Sequence, residues 1–152
     1  MKFALNNILP RDPSKFAGFL FVRIITGLYM AVIVVRSCIH IFSADGGANS
    51  IAGIDLSVGG GNNIIAIFHQ WGAIQLLLVL LQLVIFFRYP GLTSLVLASL
   101  VADPILREIA GQMMPVTSTS TPPGAALNAP AFFFVLALFI VSFMQKKPKV
   151  AA

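Results

Sequence analysis

The chain has 152 residues, of which 58% are hydrophobic and 10% charged, with ten Lys+Arg against five Asp+Glu. A soluble domain carries roughly 25% charged residues and keeps a largely polar surface, so this composition excludes an ordinary cytosolic enzyme and a disordered chain. A lone cysteine, Cys38, excludes a disulfide scaffold and a C-x-x-C redox pair.

The mean hydropathy of +0.93 points to a bilayer as the surrounding medium. Residues 1–15 contain two prolines and the cations Lys2, Arg11 and Lys15. That lead is too long and polar for a cleavable signal; it is expected to stay on the cytoplasmic side, along the membrane surface. A first helix is predicted at about 16–41, long enough to cross the ~30 Å hydrocarbon core. Arg23 lies seven residues past Phe16, ~10 Å deep, and is expected to snorkel back to the phosphates. Arg36 and His40, four apart, share one face at the far end. The outer loop 43–63 has six glycines and two aspartates, with an apolar middle at 48–56 expected to lie at the interface as a short helix or re-entrant piece. Its GGGNN run is not a phosphate loop, because no Gly-Lys-Ser/Thr follows.

A second helix is predicted at 64–87. His69 lies 19 residues before Arg88, ~28 Å away and so at the outer boundary, beside Trp71 in an interfacial belt. Gln75 and Gln82 are seven apart on one face and are expected to hydrogen-bond neighbouring helices. Arg88-Tyr89-Pro90-Gly91 reads as a tight turn, with Gly91 supplying positive φ, so helices two and three form a hairpin. The third helix, 92–112, carries a small-residue stripe of Ser94, Ala98 and Ala102 at four-residue spacing, expected to be a helix-packing face. Asp103 and Arg107 are positioned to pair at i, i+4, Glu108 projects from another face, and Pro104 predicts a kink. A polar loop at 113–128 leads to a fourth helix at 129–145 rich in phenylalanine.

Cations accumulate at Lys2, Arg11, Lys15, Arg88, Lys146, Lys147 and Lys149, whereas the two long loops contain neither Lys nor Arg. Cationic segments stay inside. The expected fold is therefore all-α: a single four-transmembrane-helix antiparallel bundle over 1–152, multi-pass, with both termini cytoplasmic.

The helix counts place Arg36, His40, His69, Asp103, Arg107 and Glu108 at similar depth near the outer face. Polar groups at membrane depth are the informative ones. Two readings stand: a paired polar lid that fixes helix packing, or a small site opening outward. No catalytic residue is indicated, because no serine or cysteine has a base in sequence reach. No metal is expected, since His40, His69, Asp45 and Asp55 would have to meet by coincidence. No cofactor is called for. A haem between His40 and His69 would sit at the very membrane edge, and a quinone is the other small molecule considered. The basic residues do not interleave with aromatics on a soluble segment, which argues against nucleic acid.

The segments AGIDLS (52–57), IFHQWGAIQLLL (67–78), FRYPGL (87–92) and DPILREIAG (103–111) resemble the DoxX-like group of small four-helix membrane proteins. The resemblance is one of topology and covers most of the chain from Phe16 onward. It implies a bacterial inner-membrane bundle in a group associated with terminal oxidases or quinone-linked sulfur oxidation. It carries over no catalytic residue. Two functions follow as expectations. One is an accessory or structural subunit of a larger respiratory or photosynthetic membrane complex, with other subunits or further copies as partners. The other is a stand-alone quinone- or lipid-handling protein that uses the outer polar cluster.

Overall fold

The computed structural model describes residues 2–145. The cationic tail at 146–152 lies outside the described residues. The chain is mostly helical: α1 Leu20–Phe42, α2 Gly61–Arg88, α3 Thr93–Met113, a short α4 Pro123–Ala126, and α5 Asn128–Ser142. Two of these, α1 and α2, are long and apolar enough to cross a membrane.

The helix starts have local causes. α1 begins four residues later than its apolar run, because Phe16 folds its ring onto Gly18 and over the Arg23 guanidinium. α2 begins three residues early. Gly60 takes φ +89°, and a Cβ on Gly61 would stand 2.1 Å from the Leu56 carbonyl oxygen, so only glycine enters the helix there. The turn between α2 and α3 is a 3₁₀ turn, Pro90–Leu92. Gly91 does not supply positive φ there, since the positive-φ glycines are Gly46, Gly47, Gly53 and Gly60. It is required for space instead: its N–H bonds the Pro13 carbonyl at 2.7 Å, and a Cβ would meet that oxygen at 2.9 Å. The N-terminal segment is thus docked on the turn.

α3 runs on through Pro104 as one helix. The fourth helix ends at Ser142, earlier than its apolar pattern suggests, because the chain turns extended. β2 (Met144–Gln145) pairs antiparallel with β1 (Lys2–Phe3). This small strand pair departs from a purely helical fold and ties the two ends of the described chain together, and Phe3 packs on Phe143 at 5.5 Å. The middle of the first loop is a series of turns, not a helix.

Residues of all four long helices meet in one buried cluster, including Val22 and Met30 of α1, Phe86 of α2, Leu97 of α3 and Val135 of α5. Contacts run antiparallel between successive helices. Ser37 meets Gln75 and Arg23 meets Phe86 across α1 and α2; Asn128 meets Pro104 and Ser142 meets Ser94 across α3 and α5. α1 and α2 approach closely at Gly72, where a Cβ would lie 2.7 Å from His40 Cβ. Outside this cluster, α1 leaves Phe21, Ile24, Leu28, Val32, Ile39 and Phe42 exposed. That stripe has helical period and runs for ~32 Å.

Candidate functional site

The residues expected to gather at the Arg36 end of the helices separate into three groups. His40 is buried, and its Nδ1 lies 2.7 Å from the Gly46 carbonyl. His69 Nδ1 lies 2.9 Å from the Ile41 carbonyl. A carbonyl can only accept, so both rings carry the proton on Nδ1. His69 thereby satisfies a carbonyl in the last turn of α1, where no intrahelical donor remains. The His40 ring also packs on Trp71 at 4.6 Å and on Phe68 at 5.9 Å. Both histidines are fastened to the backbone that ends α1.

The second group is charged. Arg107 Nε lies 3.1 Å from Asp103 Oδ2, an ion pair too bent for a hydrogen bond, since that Nε has no hydrogen-bond partner. Arg36 stacks over Trp71 at 4.9 Å, within electrostatic reach of Asp103, Arg107 and the Tyr29 hydroxyl. Among the described residues, its Nη2 is buried without a partner. Glu108 is not in this group. It accepts from Gln112 at 3.1 Å and from Asn128 at 3.3 Å, because it projects from the α3 face that meets α5. Two arginines therefore face one carboxylate, and the cluster is not neutral. Tyr29 is a member that charge counting missed.

The third group lies deeper. Ser37 Oγ donates to Ile33 O at 2.8 Å and lies 3.3 Å from the Gln75 side-chain amide, from which it accepts. Gln82 Nε2 donates to Ser99 Oγ at 2.9 Å. The two glutamines share one hollow of about 30 Å³ with Ile33, Leu100 and Asp103, but each bonds a different helix. Beside it, a groove of about 540 Å³ opens between α2 and α3, walled by Leu78, Leu81, Ile85, Leu95, Val96 and Ala98, with Gln82 and Ser99 also lining it. The small-residue stripe on α3 is divided by this groove. Ser94 is buried and accepts from Ser142 at 2.9 Å; Ala98 is a groove wall; Ala102 is exposed and packs no helix of this chain.

Arg23 does not snorkel. It donates from Nη1 to Pro90 O at 3.1 Å and Thr93 Oγ1 at 2.8 Å, and from Nη2 to Phe86 O at 3.1 Å. Its guanidinium also lies 4.2 Å from the Phe86 ring centroid. A cation here satisfies carbonyls at the C-terminus of α2 and favours the negative end of its dipole. In the loop, Asp45 accepts from the N–H groups of Ser50, Gly47 and Asn49 at 2.7, 2.8 and 3.0 Å. These bonds, that of Ser50 foremost, bring its carboxyl down to about 2 against a smaller burial effect.

Among the described residues, no three or more His, Cys, Asp or Glu side chains are grouped to hold a metal. The fold and site define a mostly helical protein with two helices long and apolar enough to cross a membrane. No family model, characterised protein or solved structure matches the chain.

Proposed function

We propose that this is a four-span inner-membrane protein of the DoxX-like type, bacterial, with both termini cytoplasmic, acting as an accessory structural subunit of a larger respiratory or photosynthetic membrane complex. Membrane residence is supported by α1 and α2, in whose most apolar stretches fewer than a quarter of residues are buried. A soluble protein would bury such helices. The ~32 Å exposed stripe of α1 matches the ~30 Å hydrocarbon core. The orientation follows from the cations at Arg11, Lys15 and Arg88 and their absence from both long loops. Arg11, Lys15 and Arg88 also fall at one end of the bundle, since Pro13 and Gly91 are bonded.

One observation carries the subunit reading. Most polar side chains at the outer end are spent on the chain's own architecture: His40 and His69 on backbone carbonyls, Asp103 on Arg107, Glu108 on Asn128. His69 and Glu108 tie one helix to another, His40 and Asp103 are held within their own stretch of chain, and apolar faces are left for lipid, partner subunits or further copies. Extraction from native membranes in a mild detergent tests it. Co-migration with a larger assembly is expected; a lone 16.3 kDa species would sink the assignment.

A second reading has its own observation, the unpartnered Nη2 of Arg36 beside an excess of positive charge. It makes the outer cluster a quinone- or lipid-handling site. Asp103→Asn and His69→Ala separate the two readings. Unchanged redox activity and unchanged bound lipid in both variants leave the cluster purely structural.

A further inference from the structure

We propose that the groove between α2 and α3 is a binding site for a small, uncharged, membrane-soluble molecule with a ring-sized apolar body and a hydroxyl group. This goes beyond the subunit assignment and rests only on the membrane residence proposed above.

Polar satisfaction points to a ligand. Ser99 Oγ donates its one hydrogen to Val96 O at 2.7 Å, so it can only accept from Gln82 Nε2. That fixes the Gln82 amide. Its Oε1 and its second N–H have no partner among the described residues, although the side chain is only 7% exposed and lines both the groove and the hollow. Ser37 Oγ likewise spends its one hydrogen on Ile33 O, so the Gln75 amide 3.3 Å away can only donate to it, and Gln75 keeps its carbonyl oxygen and a second N–H where it lines the same hollow. The Gln82 amide therefore opens onto the groove with hydrogen-bonding capacity that lipid tails cannot meet. A hydroxyl answers both needs, donating to Gln82 Oε1 and accepting an amide N–H.

Size selects the occupant. The α2 wall, Leu78 to Ile85, is ~10 Å long. A crossing helix needs ~30 Å of groove, whereas about 540 Å³ falls within the volume that holds a drug-sized molecule. No ionisable side chain lines the groove itself, and Asp103 in the adjoining hollow is paired with Arg107, so the ligand is uncharged.

Photolabelling of the full chain in lipid nanodiscs with a diazirine-bearing 4-alkylphenol tests this, with sites mapped by mass spectrometry. Saturable labelling within residues 78–85 and 95–99 is expected. Unlabelled 4-alkylphenol should compete about tenfold better than its O-methyl ether, which cannot donate. Ala98→Phe fills the groove without touching a polar atom, and should cut labelling about tenfold while the circular dichroism and melting stay unchanged. Gln82→Leu should abolish the preference for phenol over ether. Non-saturable labelling spread over the exposed faces of α1 and α2 overturns the proposal. So does an Ala98→Phe chain that folds and labels normally, or a photo-crosslink from position 98 to another polypeptide in native membranes, which would make the occupant a partner helix.

Discussion

Two arginines on α1 stand at opposite ends of the same helix and live in opposite circumstances. Arg23 donates three hydrogen bonds, to Phe86 O, Pro90 O and Thr93 Oγ1, and lies against the Phe86 ring. Arg36 stacks on Trp71 but leaves Nη2 buried and unpaired. The Arg23 end is where the chain is fastened: the α2–α3 turn, the Pro13–Gly91 bond and the β1–β2 pair gather there. The Arg36 end holds surplus charge. A buried cation thus builds architecture where backbone carbonyls are unsatisfied, as at Arg23, and is left without such acceptors at Arg36.

Arg23→Met should be the most damaging change in this comparison. It strips a charged donor from three acceptors at once, each such bond being worth roughly 1.5–3 kcal/mol before context reduces it. A loss of about 3 kcal/mol is expected in chemical unfolding in detergent, and Arg23→Lys should recover less than half, because an ammonium lacks the planar fork. Gly72→Ala comes next. Its Cβ would press on His40 Cβ at 2.7 Å and the Ser37 carbonyl at 3.1 Å, neither a flexible side-chain end. Overpacking of about 1–3 kcal/mol, less the helix-propensity gain of under about 1 kcal/mol, leaves a net loss of roughly 1.5 kcal/mol by the same measurement. If Gly72→Ala costs more than Arg23→Met, the Arg23 end is not the principal fastening.

The spans of α1, α2 and α3 were legible in the sequence to within a few residues, because hydropathy over a helical window is a local property. The Asp103–Arg107 pair was legible because both lie on one helix, and Gln75 and Gln82 bond neighbouring helices at Ser37 and Ser99 as amides in an apolar helix are expected to. Arg23 was misread because its acceptors lie 63–70 residues further along, and depth alone suggested snorkelling. The strand pair that ends α5 early joins Phe3 to Met144, a pairing no local pattern announces. Glu108 was grouped with Arg36 by depth, yet a helix turns about 100° per residue, so the residue after Arg107 faces α5. Gly72 carried a signal, a lone glycine in an apolar helix, that was outweighed by the more conspicuous stripe on α3.

The loop beyond the Arg36 end adds a pH dependence to the comparison. Asp45 has a folded-state pKa of about 2 against an ordinary 3.8. A depressed carboxylate pKa contributes stability in full above the unfolded value, and that contribution fades as pH falls through about 4 toward 2. Protection of the Ser50 amide in hydrogen exchange should fall over that window and not between pH 5 and 8. Asp45→Ala should cost about 1 kcal/mol at neutral pH, a small figure because the carboxylate is solvated.

Arg36→Met is expected to have the smallest effect, under about 1 kcal/mol in either direction. The substitution forfeits a cation–π contact worth about 0.5–1 kcal/mol, but removes a buried donor whose lack of a partner costs about as much or more. Asp103 keeps Arg107 at 3.1 Å, and Trp71 keeps the His40 ring at 4.6 Å, so neither neighbour is stranded. The methionine chain fills the space of the arginine stem. Measured beside Arg23→Met in the same detergent, this variant decides whether the two ends differ as their hydrogen bonds indicate. Equal losses would mean that Arg36 is as structural as Arg23. A stable Arg36→Met chain that loses bound anionic lipid would assign the unpaired guanidinium to ligand binding, and with it the outer cluster.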